Sequence, residues 1–142
     1  PSAENFQRIR EAATSHEALA WNYTHGVRDV AAVSPDSWIL QQALLEKPGV
    51  REIMLDLLHD YGSNPPLYPQ WQAYLRAYQP KILVTWGDND PFFTAAGRDL
   101  FKALVPATEV QSYDAGHFAL ETHGPEIAAA IRAFLARVAP AA

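Results

Sequence analysis

The sequence predicts an α/β protein in two unequal parts: helix after helix over residues 1–79, then a piece of parallel sheet with its helices over residues 80–142. Three observations carry this expectation. Apolar residues recur at helical spacing through the first part with no convincing strand, and the pattern changes at Gln79-Pro80. Directly after that change, Ile82-Leu83-Val84 is a continuous apolar run too short for a typical helix and suited to a central parallel strand covered on both faces.

The elements follow in order. Ser2, with Asn5 three residues on, opens a helix carrying Phe6, Ile9 and Ala13 and running to about Ala13. Ser15 caps a second helix through Leu19 and Trp21, which Gly26 closes from the left-handed region. Ser34-Pro35 starts a third, with a hydroxyl cap, a proline in the first turn, a buried face of Ile39, Leu40, Ala43 and Leu44, and an end at Pro48-Gly49. A fourth spans about Arg51 to Tyr61 and is broken by Gly62-Ser63-Asn64-Pro65-Pro66. A fifth, after Pro69, puts Trp71, Leu75 and Tyr78 on one stripe.

In the second part, Lys81 to Trp86 reads as a strand ending in a turn at Gly87. Thr94 caps a helix over Ala96, Leu100, Phe101 and Leu104, and Thr108 to Asp114 reads as a second strand, joined to the first in parallel through the helical crossover. The last helix begins near Pro125, with Ile127, Ile131, Phe134, Leu135 and Val138 spaced to cover a sheet face, and residues 139–142 fray.

Two parallel strands leave apolar faces and hydrogen-bonding edges unsatisfied. The Ile82-Leu83-Val84 strand needs neighbours on both sides, and the looser alternation of Thr108 to Asp114 suits an edge. The remaining strands are therefore expected from a preceding segment or a separate chain. The start at Pro1, not Met, is what processing, trimming or a fragment would leave.

Composition excludes several functions. The 142 residues are 49% hydrophobic and 19% charged with no Cys, which argues for a globular chain and against thiol chemistry, disulfide scaffolds and cysteine metal sites. A net charge of -5 without a basic cluster argues against a nucleic-acid partner. The longest apolar stretches fall far short of the roughly 20 residues that span a bilayer, so no membrane partner is expected and the chain reads as cytoplasmic. His16, His25, His59 and His123 show no HExxH spacing, so no metal is expected, and no phosphate-cradling loop points to a nucleotide or other cofactor.

The end of the chain carries a pattern: strand, turn Gly87-Asp88-Asn89-Asp90-Pro91, helix, strand, Asp114-Ala115-Gly116-His117-Phe118, helix. It resembles the carboxy-terminal portion of α/β-hydrolases, especially the branch of haloalkane dehalogenases and epoxide hydrolases. The resemblance implies a partial α/β-hydrolase fold: residues 1–79 a helical cap and return helix, residues 80–142 the last two parallel strands of the core. It further implies that Asp90 is the acid of a catalytic triad and His117 its base. In that family the nucleophile elbow lies upstream of the cap, and no Gly-x-Ser-x-Gly or equivalent Asp elbow occurs here. The nucleophile is then outside this chain, which by itself is expected to be inactive and to have the amino-terminal portion of the same protein as its partner.

The chemistry fits such a pair. A carboxylate bonded to one imidazole nitrogen holds the tautomer whose other nitrogen accepts a proton, and it stabilises the imidazolium that results. The 27 residues between Asp90 and His117 allow one helix and one strand, returning both loops to the carboxyl rim of the sheet. A Ser nucleophile would mean ester hydrolysis; an Asp would mean dehalogenation or epoxide opening. Both place a small or medium apolar substrate in the site, with Trp86, Tyr61 and Tyr68 the candidate contacts, Tyr61 or Tyr68 polarising an epoxide oxygen. Other aromatics, Trp21, Tyr23, Trp38 and Trp71, either line the same cavity or fill helix packing. The competing reading is a non-catalytic binding protein of the same fold.

Overall fold

The computed structural model describes residues 3–138, and the side chains from residue 8 onward. The Ser2 cap, the Phe6 contact and the fraying of residues 139–142 lie outside this description. The chain is α/β, mostly helical, with a two-stranded parallel sheet.

Five helices come first: α1 Ala3–Thr14, α2 His16–Thr24, α3 Asp36–Leu45, α4 Val50–Asp60 and α5 Tyr68–Tyr78. Ser15 caps α2 as expected, its hydroxyl accepting from the Ala18 amide at 3.1 Å. Gly26, φ 77°, takes the left-handed region just beyond the α2 end. α3 stops at Leu45, before the expected Pro48-Gly49, and Gly49 at φ 78° instead leads into α4. The segment between α4 and α5 forms two short 3-10 turns, Tyr61–Ser63 and Pro65–Leu67.

β1, Leu83–Gly87, follows, then α6, Ala95–Leu104, β2, Glu109–Tyr113, and α7, Leu120–Val138. β1 pairs with β2 in parallel, Leu83 opposite Glu109 and Gly87 opposite Tyr113. β1 starts later than Lys81, because the first cross-strand bond is the one the Ile82 carbonyl accepts from the Glu109 amide at 3.0 Å. α7 begins five residues before Pro125 and is kinked at His123, φ -125° and ψ 24°. A first helical turn closes through His123 N–H to Ala119 O at 2.9 Å, and Pro125, which lacks an amide and disfavours helical backbone before it, starts the long helix afresh.

Two small cores form. Leu19, Val33, Leu45 and Leu55 are buried among the helices, and Val84, Leu104, Val105, Ala115 and Ile127 around the sheet. Thr14, fully buried, ties α1 to α4: Arg51 Nη1 donates to its carbonyl at 3.0 Å and to its hydroxyl. The expected buried face of α3 points outward. Ile39, Leu40 and Leu44 are exposed, and Leu45 is the residue buried, since no described element covers the other stripe. Ile131 and Leu135 of α7 and Trp71 and Tyr78 of α5 are likewise exposed.

The accessible surface is 9522 Å². A folded monomer of 15.7 kDa exposes roughly 7,300 Å² by the usual size scaling. No helix among the described residues is long and apolar enough to cross a membrane.

Candidate active site

The sheet positions two turns side by side. Beyond Gly87 the chain continues the parallel ladder: Asp88 N–H donates to Tyr113 O at 2.9 Å and Asn89 N–H to Ala115 O at 3.0 Å. The turn closes with Asp90 N–H to Gly87 O at 3.2 Å. Residues 87–90 are thereby bonded to residues 113–115, which end two positions before His117.

Asp90 Oδ2 lies 2.9 Å from His117 Nδ1. The other oxygen, Oδ1, accepts from the amides of Phe92 at 2.8 Å and Phe93 at 3.0 Å, which fixes the carboxyl plane. Its side chain is 8% exposed, that of His117 24%. Burial pushes the Asp90 carboxyl up; the His117 hydrogen bond, the Phe93 and Phe92 amides and the neighbouring imidazole outweigh it, so the carboxyl sits below its ordinary value. A carboxylate only accepts, so the bond needs a proton on Nδ1, and the neutral tautomer it selects has its lone pair on Nε2. Among the described residues Nε2 has no hydrogen-bond partner.

An aromatic wall surrounds the imidazole. Phe92 and Phe118 meet it edge-on at centroid distances of 5.0 and 4.8 Å, and Phe93 lies at 5.4 Å. α2 extends the wall: Trp21 packs on Phe92 at 5.7 Å, and Tyr23 stacks on Phe118 at 4.1 Å. Burial, then the nearby Glu121 carboxylate, raises the Tyr23 phenol above its usual value.

The candidate contacts sit further out. Trp86 backs Phe93, its Nε1–H donating to the Phe93 carbonyl at 3.0 Å. Phe93 also lines an apolar groove of about 400 Å³ between α5 and α6, with Tyr68, Trp71, Leu75, Leu100 and Phe101. Tyr68 hydrogen-bonds Tyr61, which raises its phenol pKa. Trp38 packs at 6.0 Å on Tyr23, one layer behind the wall.

Other residues have structural partners. Asp88 pairs with Arg98, which also binds Asp99 at 2.8 Å and Ser112 at 2.9 Å. His123 Nδ1 lies 2.9 Å from the Thr122 hydroxyl. Thr94 occupies the α6 cap position, yet its hydroxyl makes no capping bond. Among the described residues no three His, Asp or Glu side chains are grouped to hold a metal.

Sequence reasoning assigned no role to Phe92, Phe93 or Asn89. The available signal was Phe92-Phe93 itself, an apolar pair in a turn, where neither helix nor strand packing accounts for it.

No known family model matches the chain. Over 106 residues, 75% of its length, it is 42% identical to the protein named Uncharacterized hydrolase YNR064C from Saccharomyces cerevisiae. The chain spans 37% of that protein's length.

Proposed function

We propose that this chain is the helical cap and last core strands of an α/β-hydrolase-fold enzyme, a cofactor-independent hydrolase of small or medium apolar substrates. Asp90 and His117 are the acid and base of its triad, and the nucleophile lies on the amino-terminal portion of the same protein. The observation that carries the reading is the 2.9 Å bond from His117 Nδ1 to a buried carboxylate, with Nε2 left unbonded inside an aromatic wall. The similarity to a yeast protein named a hydrolase supports the reaction class.

In this reading Nε2 takes a proton from the attacking group, either a Ser hydroxyl or the water that cleaves an alkyl-enzyme ester, and Asp90 stabilises the imidazolium. The wall of Phe92, Phe93 and Phe118 gives the imidazole an apolar setting, which favours an apolar substrate. Trp86 holds Phe93 in place, and Tyr68, which lines the groove that Phe93 shares, is paired with Tyr61. Trp86, Tyr61 and Tyr68 serve as substrate contacts, and with an epoxide Tyr61 or Tyr68 polarises the ring oxygen.

Three facts support a missing amino-terminal partner. β1 pairs with β2 alone among the described residues, leaving its other edge free. The apolar stripes of α3, α5 and α7 are exposed, and the surface exceeds that of a compact monomer. The yeast relative is longer than this chain, which spans 37% of it.

The test compares the completed polypeptide with His117→Ala on panels of esters, haloalkanes and epoxides. Turnover of one class by the parent, lost in the variant, is expected; equal rates overturn the assignment.

A further inference from the structure

We infer that Asn89 is a positioning residue: its side-chain amide clamps the two turns that carry Asp90 and His117 to the loop leaving α2. The inference rests on the roles proposed for Asp90 and His117 and concerns what holds them.

Asn89 Nδ2 donates to Gly26 O at 2.8 Å and to Asp114 Oδ1 at 2.8 Å. Both partners are acceptors, so only this orientation of the amide satisfies them. Asp114 Oδ2 in turn meets Arg28 at 2.5 Å, closing a circuit from the loop after α2, through the second turn, back to the first. Meanwhile the Asn89 main-chain amide is bonded to Ala115. One residue thus joins its own turn to two other segments, and its chain neighbour is Asp90.

The backbones at this junction touch. A β-carbon on Gly26 would fall 2.5 Å from Asn89 O and 2.8 Å from Asn89 Cβ. One on Gly116 would overlap His25 O, with the His25 carbonyl carbon at 3.1 Å. Residues 25–26 therefore lie directly over the turns holding Asp90 and His117. The same loop ends α2, whose Trp21 and Tyr23 form the outer aromatic wall. Asn89 supplies the side-chain bond that fixes wall and pair to one another, and the glycines supply the room.

Loss of a bond that fixes a proton-transfer geometry lowers turnover more than substrate binding. In the completed polypeptide, Asn89→Ala is expected to lower kcat about tenfold with KM nearly unchanged. It is also expected to broaden or abolish the low-field NMR resonance of the His117 Nδ1 proton. Asn89→Asp keeps the size of the side chain but offers no donor to Gly26 O or Asp114 Oδ1, so it is expected to lose the resonance as Asn89→Ala does. A purely structural Asn89 would lower the unfolding midpoint while leaving the resonance and kcat per folded molecule as in the parent; that result overturns the inference. Should Asn89→Ala not fold, Asn89→Asp decides alone, since a folded Asn89→Asp that keeps the resonance and the parent kcat is equally contrary. Were His117→Ala to match the parent on every substrate, the hydrolase reading would fall, and the resonance would still decide the role of Asn89.

Discussion

Gly87 and Gly116 meet backbone to backbone: a β-carbon on Gly87 would overlap the Gly116 carbonyl oxygen and fall 2.6 Å from that of Ala115. This closeness lets the ends of β1 and β2 bring an acid and an imidazole together although 27 residues separate them. Gly87→Ala must force the two turns apart, at a cost of about 1–3 kcal/mol in urea unfolding. Gly97→Ala is the internal control. Its β-carbon would meet only the Trp86 ring at 3.4 Å, inside a helix, where replacing glycine gains roughly 0.5–1 kcal/mol. Equal midpoints for the two variants would contradict the close approach.

Asp90→Asn keeps the shape of the side chain and both amide bonds at Oδ1, but its NH₂ faces Nδ1. The imidazole then turns its protonated nitrogen toward the substrate. The expected result is a fall in kcat by roughly 10³–10⁴-fold with KM little changed, measured on whichever substrate class the parent turns over. A loss of less than about tenfold would be inconsistent with Asp90 setting the tautomer.

Phe93 touches the imidazole on one side and the α5–α6 groove on the other. Phe93→Ala removes the ring that separates the two spaces. KM for an apolar substrate is expected to rise about 5- to 20-fold, the worth of roughly 1–2 kcal/mol of aromatic contact. A variant with unchanged KM would place the substrate elsewhere.

What the sequence made legible was what local chemistry decides. The apolar run at Ile82-Leu83-Val84 leads into a strand, Leu83–Gly87, with Val84 buried, and Ser15 has one good partner, the Ala18 amide. That Asp90 and His117 lie close together was legible because each sits in a turn just after a strand, where parallel topology brings loop ends together. Contacts between distant segments were not legible. Asn89 binds Gly26, 63 residues away, and nothing around either residue announces the other. The α3 stripe of Ile39, Leu40 and Leu44 has helical spacing in either orientation, and only the partner it packs against decides which side is covered. Thr94 has the composition of a cap, but the Gly97 amide bonds the Thr94 carbonyl at 2.9 Å and the hydroxyl makes no capping bond.

Arg51 reaches from α4 to the buried carbonyl and hydroxyl of Thr14. Arg51→Ala leaves that carbonyl without its donor in a site closed to water, an expected loss of about 1–3 kcal/mol. The junction lies among the helices, away from Asp90 and His117, so turnover per folded molecule is expected to stay at the parent level. A fall in kcat without a fall in stability would reverse the assignment.

Acid titration separates the Asp90–His117 bond from the surrounding packing. The Asp90 carboxyl lies below its ordinary value in the folded protein, so between the two values the unfolded chain binds the proton more readily. Its contribution is complete above the ordinary carboxylate range, near pH 4, and is lost as pH falls through the lowered folded value. Asp90→Asn removes that contribution at every pH. The urea midpoints of parent and variant should therefore differ most near neutrality and converge as pH falls below about 4. His117→Ala takes away the largest of the interactions that lower the carboxyl, so its acid limb should begin at higher pH than the parent's. A gap between parent and Asp90→Asn that stays constant from pH 7 to pH 3 would mean that the carboxylate charge contributes nothing to holding the two turns together.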